Sequence, residues 1–140
     1  MSIQWIEYAN AASIVHGVIE QVDQLPSGRK AVVAVVDTHG ELIALARMDG
    51  APLSALRLAM NKAYTAARAA RTTEELGRKL RHPETGFDIA YFGDERFVGF
   101  GGGVPIWREG RIIGAVGVSG LVEEDDIRLA TWAAAQLERE

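Results

Sequence analysis

Residues 31–47 read AVVAVVDTHGELIALAR, and this stretch decides the fold. Its first part, residues 31–36, is a run of small and β-branched residues, typical of a strand that is covered on both faces. A polar turn that contains Gly40 follows, and a second apolar run extends over residues 41–47. Glycine readily adopts the positive φ that a tight turn requires. The stretch therefore predicts a β-hairpin.

Helical patterns flank this hairpin on both sides. Apolar residues recur every three or four positions over residues 5–22, which predicts a first helix. An alanine-rich helix is predicted over residues 54–70, and its small side chains suit close approach of another helix, a sheet or a flat ligand. Thr72 begins a capping-box pattern for a short helix that ends near Leu80. The acidic run at residues 123–126 begins a last helix.

Further strands are predicted in the second half of the chain. Residues 97–100, 104–107 and 111–119 are apolar runs, and the last two form a second hairpin around a turn at residues 108–110. Residues 87–92 are a candidate for one more short strand. The order α-β-β-α-α-β-β-β-α contains hairpins and no parallel crossover. It predicts an α+β domain built on an antiparallel sheet.

Length and composition exclude several functional classes. The chain has 140 residues, which predicts one domain over residues 1–140, and it has no cysteine, which excludes disulfides, thiolate metal sites and cysteine nucleophiles. The formal net charge of -4 argues against nucleic acid or an anionic membrane as a partner. No apolar run is long enough for a membrane span, and residues 1–10 lack the basic region of a secretory signal. We therefore expect a cytoplasmic protein without a structural metal.

The triple glycine is a first candidate site. Gly101, Gly102 and Gly103, with Pro105 two positions later, lose much backbone entropy when they are ordered and so need a reason to be there. Either their N–H groups form a nest for a carboxylate or phosphate, or the segment is a bulge where one strand crosses a neighbour. The flanking residues lack the patterns of a P-loop and of a dinucleotide fingerprint, which disfavours nucleotide phosphate binding.

Lys62 and Arg47 are candidate anion-binding residues. Lys62 lies in the alanine-rich helix. In a cleft it would bind an anion or, with a lowered pKa, act as a general base, whereas on the surface its stem would cover apolar neighbours. Arg47 and Asp49 stand where the second strand ends. Arg47 there either binds a ligand carboxylate or forms an ion pair with Asp49.

The histidines give a candidate metal ligand. His16, His39 and His82 show none of the spacings of a zinc site, so no preformed metal cluster is predicted. His16 lies at the border of the buried stripe of the first helix and is the best placed of the three to ligate a haem iron. The alternative is a histidine that is merely packed or hydrogen-bonded.

Five blocks of sequence carry a family resemblance. In chain order they are VAVVDTHG (33–40), ARMDGA (46–51), KAYTA (62–66), GGGVPI (101–106) and GAVGVSG (114–120). With these blocks, the chain resembles the GlcG/HbpS family, a group that includes the C-terminal domain of PduO. The resemblance covers nearly the whole chain. It implies a profilin-like α+β domain with a five-stranded antiparallel sheet, usually assembled into homo-oligomers.

The same resemblance implies a haem-binding protein, with haem degradation or redox sensing as its activity. In this hypothesis haem, or a related small anionic ligand, lies in a cleft between the alanine-rich helix and the triple glycine. Lys62 and Arg47 meet its carboxylates, and His16 ligates the iron. The alternative is a hydrolase, lyase or isomerase of a small organic acid, in which Lys62 with Asp49 or Asp125 transfers protons. A purely structural assembly protein is a third interpretation.

Overall fold

The structure, a computed structural model, describes residues 5–139. The sequence-based expectation for the secretory signal therefore falls partly, at residues 1–4, outside the described residues. The elements are α1 (Tyr8–Asp23), β1 (Val32–Asp37), β2 (Leu42–Arg47), α2 (Leu53–Ala69), α3 (Thr73–Leu80), a 3-10 helix (Ile89–Phe92), β3 (Gly103–Arg108), β4 (Arg111–Ser119) and α4 (Glu123–Glu138). This order confirms the α+β class. Among these helices, none has the length and apolarity of a membrane span.

The sheet is antiparallel throughout, in the order β2-β1-β4-β3. Both predicted hairpins are confirmed, and β1 and β4 lie side by side at the centre, with Val32 opposite Ser119. The edges are β2 and β3. Since a central strand contacts neighbours on both sides and layers on both faces, β1 is apolar at nearly every position.

The expected fifth strand is wrong for the described residues, which form four strands. Within the described residues, 97–100 pair with no neighbouring strand, and the Phe97 N–H donates to the Asp94 carbonyl at 3.2 Å. The Val98 N–H donates to Thr65 Oγ1 at 3.0 Å, and the Gly99 carbonyl accepts from Arg81 at 2.9 Å. Side chains of α2 and of Arg81, the residue after α3, therefore satisfy backbone groups that a ladder would otherwise bond. Residues 87–92 form no strand either, because their second half is the 3-10 helix.

Helices cover both faces of the sheet. The side chains of Val33, Val35, Val116 and Val118 pack with α1 and α4, whereas those of Val32, Ala34, Val36 and Ala115 pack with the alanines of α2. Alternate residues of a strand point to opposite faces, so one strand serves both cores. The sheet thus separates α1, which carries His16, from α2, which carries Lys62.

The alanine-rich helix α2 lies with its backbone almost directly on the sheet. A Cβ atom on Gly117 would lie 2.0 Å from the Ala59 carbonyl oxygen, and one on Gly103 would lie 2.3 Å from the Lys62 carbonyl oxygen. Glycine in the strands and alanine in the helix together permit this approach. It confirms that the small side chains of α2 serve close packing against the sheet.

Candidate functional site

Lys62 lies at the junction of α2, the end of β4 and the start of α4. Its side chain is only 1% exposed. The ammonium donates to the Val118 carbonyl at 3.0 Å and to Asp126 Oδ2 at 3.3 Å, and it lies 4.9 Å from the centre of the Phe100 ring. The structure therefore excludes the interpretation of Lys62 as a surface lysine.

Asp126 is the functional candidate that sequence reasoning missed. Its Oδ1 accepts the Leu121 N–H at 3.2 Å, while Oδ2 faces Lys62, so this one carboxylate holds both the turn before α4 and the buried ammonium. It belongs to an acidic run that is typical of helix capping, so the sequence provided no separate reason to single out Asp126. Asp126 also lies four and seven positions before the buried Ala130 and Ala133. That helical spacing is a sequence pattern from which the inward-facing position of Asp126 could have been predicted.

Burial shifts both members of this pair toward their neutral forms. It lowers the pKa of Lys62, against the attraction of Asp126. It raises the pKa of Asp126 to about 6, against the attraction of Lys62 and the hydrogen bond from Leu121. Removing two charges from water costs free energy that their mutual attraction only partly returns. The pair is thus a buried acid and base whose proton affinities lie closer together than in water.

The triple glycine encloses this pair, and two of its N–H groups already have protein acceptors. Gly101 donates to Glu123 Oε2 at 2.6 Å, and Gly103 donates to Thr73 Oγ1 at 2.9 Å. A nest for a ligand anion would require both N–H groups to exchange these acceptors. The other expected feature, a bulge, does not lie at these glycines either, because the register shift of β3 falls between Ile106 and Trp107.

Gly102 approaches Lys62 closely. Its φ is +130°, and a Cβ atom there would lie 2.7 Å from Lys62 Nζ and 2.5 Å from the Val118 carbonyl oxygen. The Gly102 carbonyl accepts the Val118 N–H at 2.9 Å. Pro105, further along β3, is buried opposite Ala115. The segment is therefore packed around the lysine side chain.

Of the remaining candidate site residues, Arg47 and Asp49 lie on the surface and Asp125 is half-buried. Arg47 ends the edge strand β2 and Asp49 follows it in a turn, both exposed, and no ion pair joins them in the part of the chain that the structure describes. Asp125 pairs with Arg128 at 3.2 Å, one turn along α4. The structure brings Lys62 together with the glycines and Asp126, and shows no contact of Lys62 with Arg47 or Asp49 within residues 5–139.

His16 lies on the opposite face of the sheet, on α1. Its side chain is 75% exposed, and its Nε2 is 3.6 Å from Glu20 Oε1. It stands at the rim of a groove of about 450 Å³ between α1 and β2. The other side chains that line the groove are aliphatic or aromatic: Tyr8, Ala12, Val15, Ile19, Ile43, Ala44, Leu45 and Ala46. The histidine is therefore not packed in the core. An exposed imidazole beside aliphatic and aromatic side chains fits the donor and the surroundings that a haem iron takes.

A cluster of His, Asp or Glu side chains is the other arrangement that could hold a metal ion in this protein. Within residues 5–139, no three His, Asp or Glu side chains converge on one position. A ligand set for a hydrated or structural metal ion usually needs three or four such groups. A cofactor that carries most of its own metal ligands needs only one protein donor, and His16 would be able to supply it.

Comparison with known proteins identifies the family. The profile of the family described as "Haem degrading protein HbpS-like" matches residues 6–135. Protein GlcG of Escherichia coli K12 is 39% identical over 105 residues, which are 75% of this chain and 75% of GlcG. The corrinoid adenosyltransferase PduO of Salmonella typhimurium is 30% identical over 94% of this chain, which spans only 39% of that longer protein.

A solved structure supports the same assignment. The crystal structure of a PduOC–haem complex superposes with a TM-score of 0.85 at 30% identity, and the match covers 94% of each chain. The five sequence blocks thus belong to a shared fold and not to scattered local similarity. The chain belongs to the HbpS-like family.

Proposed function

We propose that this protein binds haem in the groove between α1 and β2, with His16 as the axial ligand of the iron. The exposed His16 imidazole at the rim of a groove lined by aliphatic and aromatic side chains is the observation that carries the proposal. Family membership supports it, since a similar protein was solved as a haem complex. Haem degradation or redox sensing would be the activity, because bound haem supplies a redox-active iron.

The chain's own residues would hold haem by two means. The aliphatic wall formed by residues such as Ala12 and Ile43 offers apolar surface to the porphyrin plane, and burial of apolar surface drives association. His16 Nε2 would offer its lone pair to the iron, and the Glu20 carboxylate lies 3.6 Å from this nitrogen.

The proposal changes the binding mode expected from the sequence. His16 lies on one face of the sheet, and Lys62 with the triple glycine lies on the other. One haem therefore cannot contact both His16 and Lys62 within one subunit. Lys62, moreover, already has Val118 and Asp126 as partners.

We propose that the protein forms a homo-oligomer in the cytoplasm, in which a second subunit supplies cations for the haem carboxylates. Light scattering with and without haem, and cell fractionation, test these points.

A haem titration followed by absorbance tests the proposal. The matched variants are His16→Ala and His39→Ala, since His39 is also exposed but lies in the β1–β2 turn. We expect saturable binding with a shifted Soret band for the wild type and for His39→Ala. His16→Ala should lose the shift and bind at least ~10-fold more weakly, the loss of about one strong contact. Unchanged binding by His16→Ala would refute the ligand assignment, and unsaturable binding would refute the function.

One observation favours a second candidate function, an enzyme that acts on a small organic acid. The buried Lys62–Asp126 pair has the proton affinities of a general base and a general acid brought closer together. In this proposal Asp126 takes the proton-transfer role that the sequence suggested for Asp49 or Asp125. Since Lys62 is 1% exposed, substrate access requires the glycine segment to move. Turnover of small 2-hydroxy or 2-oxo acids that Lys62→Met abolishes and Asp49→Asn leaves unchanged would support it.

A further inference from the structure

A second cavity lies on the α2 face, away from the groove of His16. It has a volume of about 380 Å³ and is bounded by the C-terminal end of α2, by α3 and by residues 85–97. Ala70 ends α2 in the left-handed conformation, with φ 56°, and so turns the chain to bring α3 alongside. Cavities of roughly 300 to 1,000 Å³ are typical of small-molecule sites.

Three phenylalanine rings form one wall of this cavity. The ring centres of Phe87 and Phe92 are 5.5 Å apart, and those of Phe92 and Phe97 are 4.7 Å apart, both in tilted geometry. Phe87 is 48% exposed and Phe92 41% exposed. Adjacent exposed aromatic rings mark a surface that gains free energy when another apolar group covers it.

Three cations line the same cavity without any carboxylate among the lining residues. Arg68 donates to the His39 carbonyl and lies over the Tyr64 ring, Arg71 donates to the Ala69 carbonyl, and Lys79 is exposed. None of these three cations forms an ion pair with another residue in the range 5–139.

Two neighbouring cations, Arg78 and Arg96, do form ion pairs. Arg78, on the same short helix as Lys79, pairs with Glu74 at 3.8 Å, and Arg96 pairs with Asp94 at 3.1 Å. The chain as a whole carries a formal charge of -4. Three cations without acidic partners around one apolar cavity are therefore a local excess of positive charge, which attracts an anion.

We propose that this cavity binds a small aromatic carboxylate of one or two rings. The aromatic part of the ligand would stack on Phe92 and its neighbours, and the carboxylate would accept charge-assisted hydrogen bonds from Arg71 and Lys79. The residues that line the cavity include no His, Tyr or Met, so none offers a haem iron its usual axial ligand. The site is independent of the proposed haem groove.

Isothermal titration calorimetry with 1-naphthoate as the probe, at low salt, tests this site. We expect saturable binding by the wild type and at least ~10-fold weaker binding by an Arg71→Gln/Lys79→Gln variant, because a hydrogen bond to a charged group typically contributes about that factor. Arg78→Gln is the matched control, since it removes a cation from the same helix that is already paired with Glu74. It should bind like the wild type.

Two further titrations test the proposal even if the double variant folds poorly. Naphthalene-1-carboxamide, which has the same rings without the charge, should bind the wild type at least ~10-fold more weakly than 1-naphthoate. His16→Ala should bind 1-naphthoate unchanged, which separates this site from the haem proposal. Binding of the amide as tight as that of the acid would overturn the proposal, as would equal losses in Arg78→Gln and the double variant.

Self-association is the competing use of this face. If the wild type shows no saturable heat with 1-naphthoate up to millimolar concentration, and Phe92→Asp converts an oligomer into a monomer in light scattering, the rings are a subunit interface. That result would also overturn the proposal.

Discussion

Removing either partner of the Lys62–Asp126 pair should destabilise the fold, and removing both should cost little. Among the residues that the structure describes, Lys62→Met leaves the buried Asp126 carboxylate with only the Leu121 N–H as a partner. Asp126→Asn leaves the ammonium with the Val118 carbonyl and the Phe100 ring. An uncompensated buried charge costs about 3–5 kcal/mol, whereas replacing both members of a buried pair is often nearly neutral.

The pKa of Asp126 gives the size of the free-energy cost of burying its charge and the direction in which stability changes with pH. Burial raises it from 3.8 to about 6, which corresponds to roughly 3 kcal/mol at about 1.4 kcal/mol per pH unit. Because the folded pKa is raised, ionisation of Asp126 lowers stability as the pH rises from about 4 through 6. Without Lys62 this penalty grows, so the defect of Lys62→Met should shrink at acid pH. The defect of Asp126→Asn should shrink at alkaline pH, where Lys62 loses its proton.

Urea unfolding followed by circular dichroism at pH 5, 7 and 9 measures these free energies of unfolding. At pH 7 we expect losses of about 3–5 kcal/mol for each single variant, and the Lys62→Met/Asp126→Asn double variant within about 2 kcal/mol of the wild type. Lys30→Met is the control, since the exposed Lys30–Asp23 pair at 3.4 Å should contribute under about 1 kcal/mol. Additive single losses, or the same pH trend in both single variants, would refute the reasoning.

Two smaller changes test the surroundings of the pair. Gly102→Ala places a methyl group 2.5 Å from the Val118 carbonyl oxygen at φ +130°, so it should cost ~3 kcal/mol or more, while Gly110→Ala, at φ +76° with nothing within 4 Å, should cost only about 1 kcal/mol. Equal shifts of the melting temperature would show that crowding is unimportant. Tyr64→Phe removes the hydrogen bond that, more than any other contact, holds the pKa of Asp94 at about 2, and should cost about 1 kcal/mol at pH 7. Since a depressed carboxyl pKa stabilises the fold above about pH 4 and this stability is lost toward pH 2, a loss that is equal at pH 7 and pH 2 would contradict the assignment.

Local patterns were enough to predict most of the elements. Both hairpins are present, and the Thr72 side chain caps α3 by accepting the Glu75 N–H at 3.1 Å, as the capping-box pattern predicted. Residues 97–100 have the composition of a strand but form none. Strand formation needs a partner strand at hydrogen-bonding distance. Here the side chains of Thr65 and Arg81 bond instead to the backbone of Val98 and Gly99.

The candidate site was predictable only in part. The position of Lys62 among alanines marked it as unusual, whereas the triple glycine suggested a nest or a bulge and its close approach to Lys62 is visible only in the structure. Asp126 was hidden among three other acids, because a cluster at the start of a helix is well explained by capping. Its partner is 64 positions away in the chain, and no local pattern reports such a contact.

The sequence by itself determined the four helices, the two β-hairpins, the two apolar faces of the central strands and the set of chemically active side chains. These follow from periodicity and turn chemistry, which act over a few residues. Only the tertiary structure decided which of those side chains meet. It brings Lys62 to Asp126 and the glycines, and it puts the sheet between them and His16, because strand pairing and layer packing join segments that are remote in the chain.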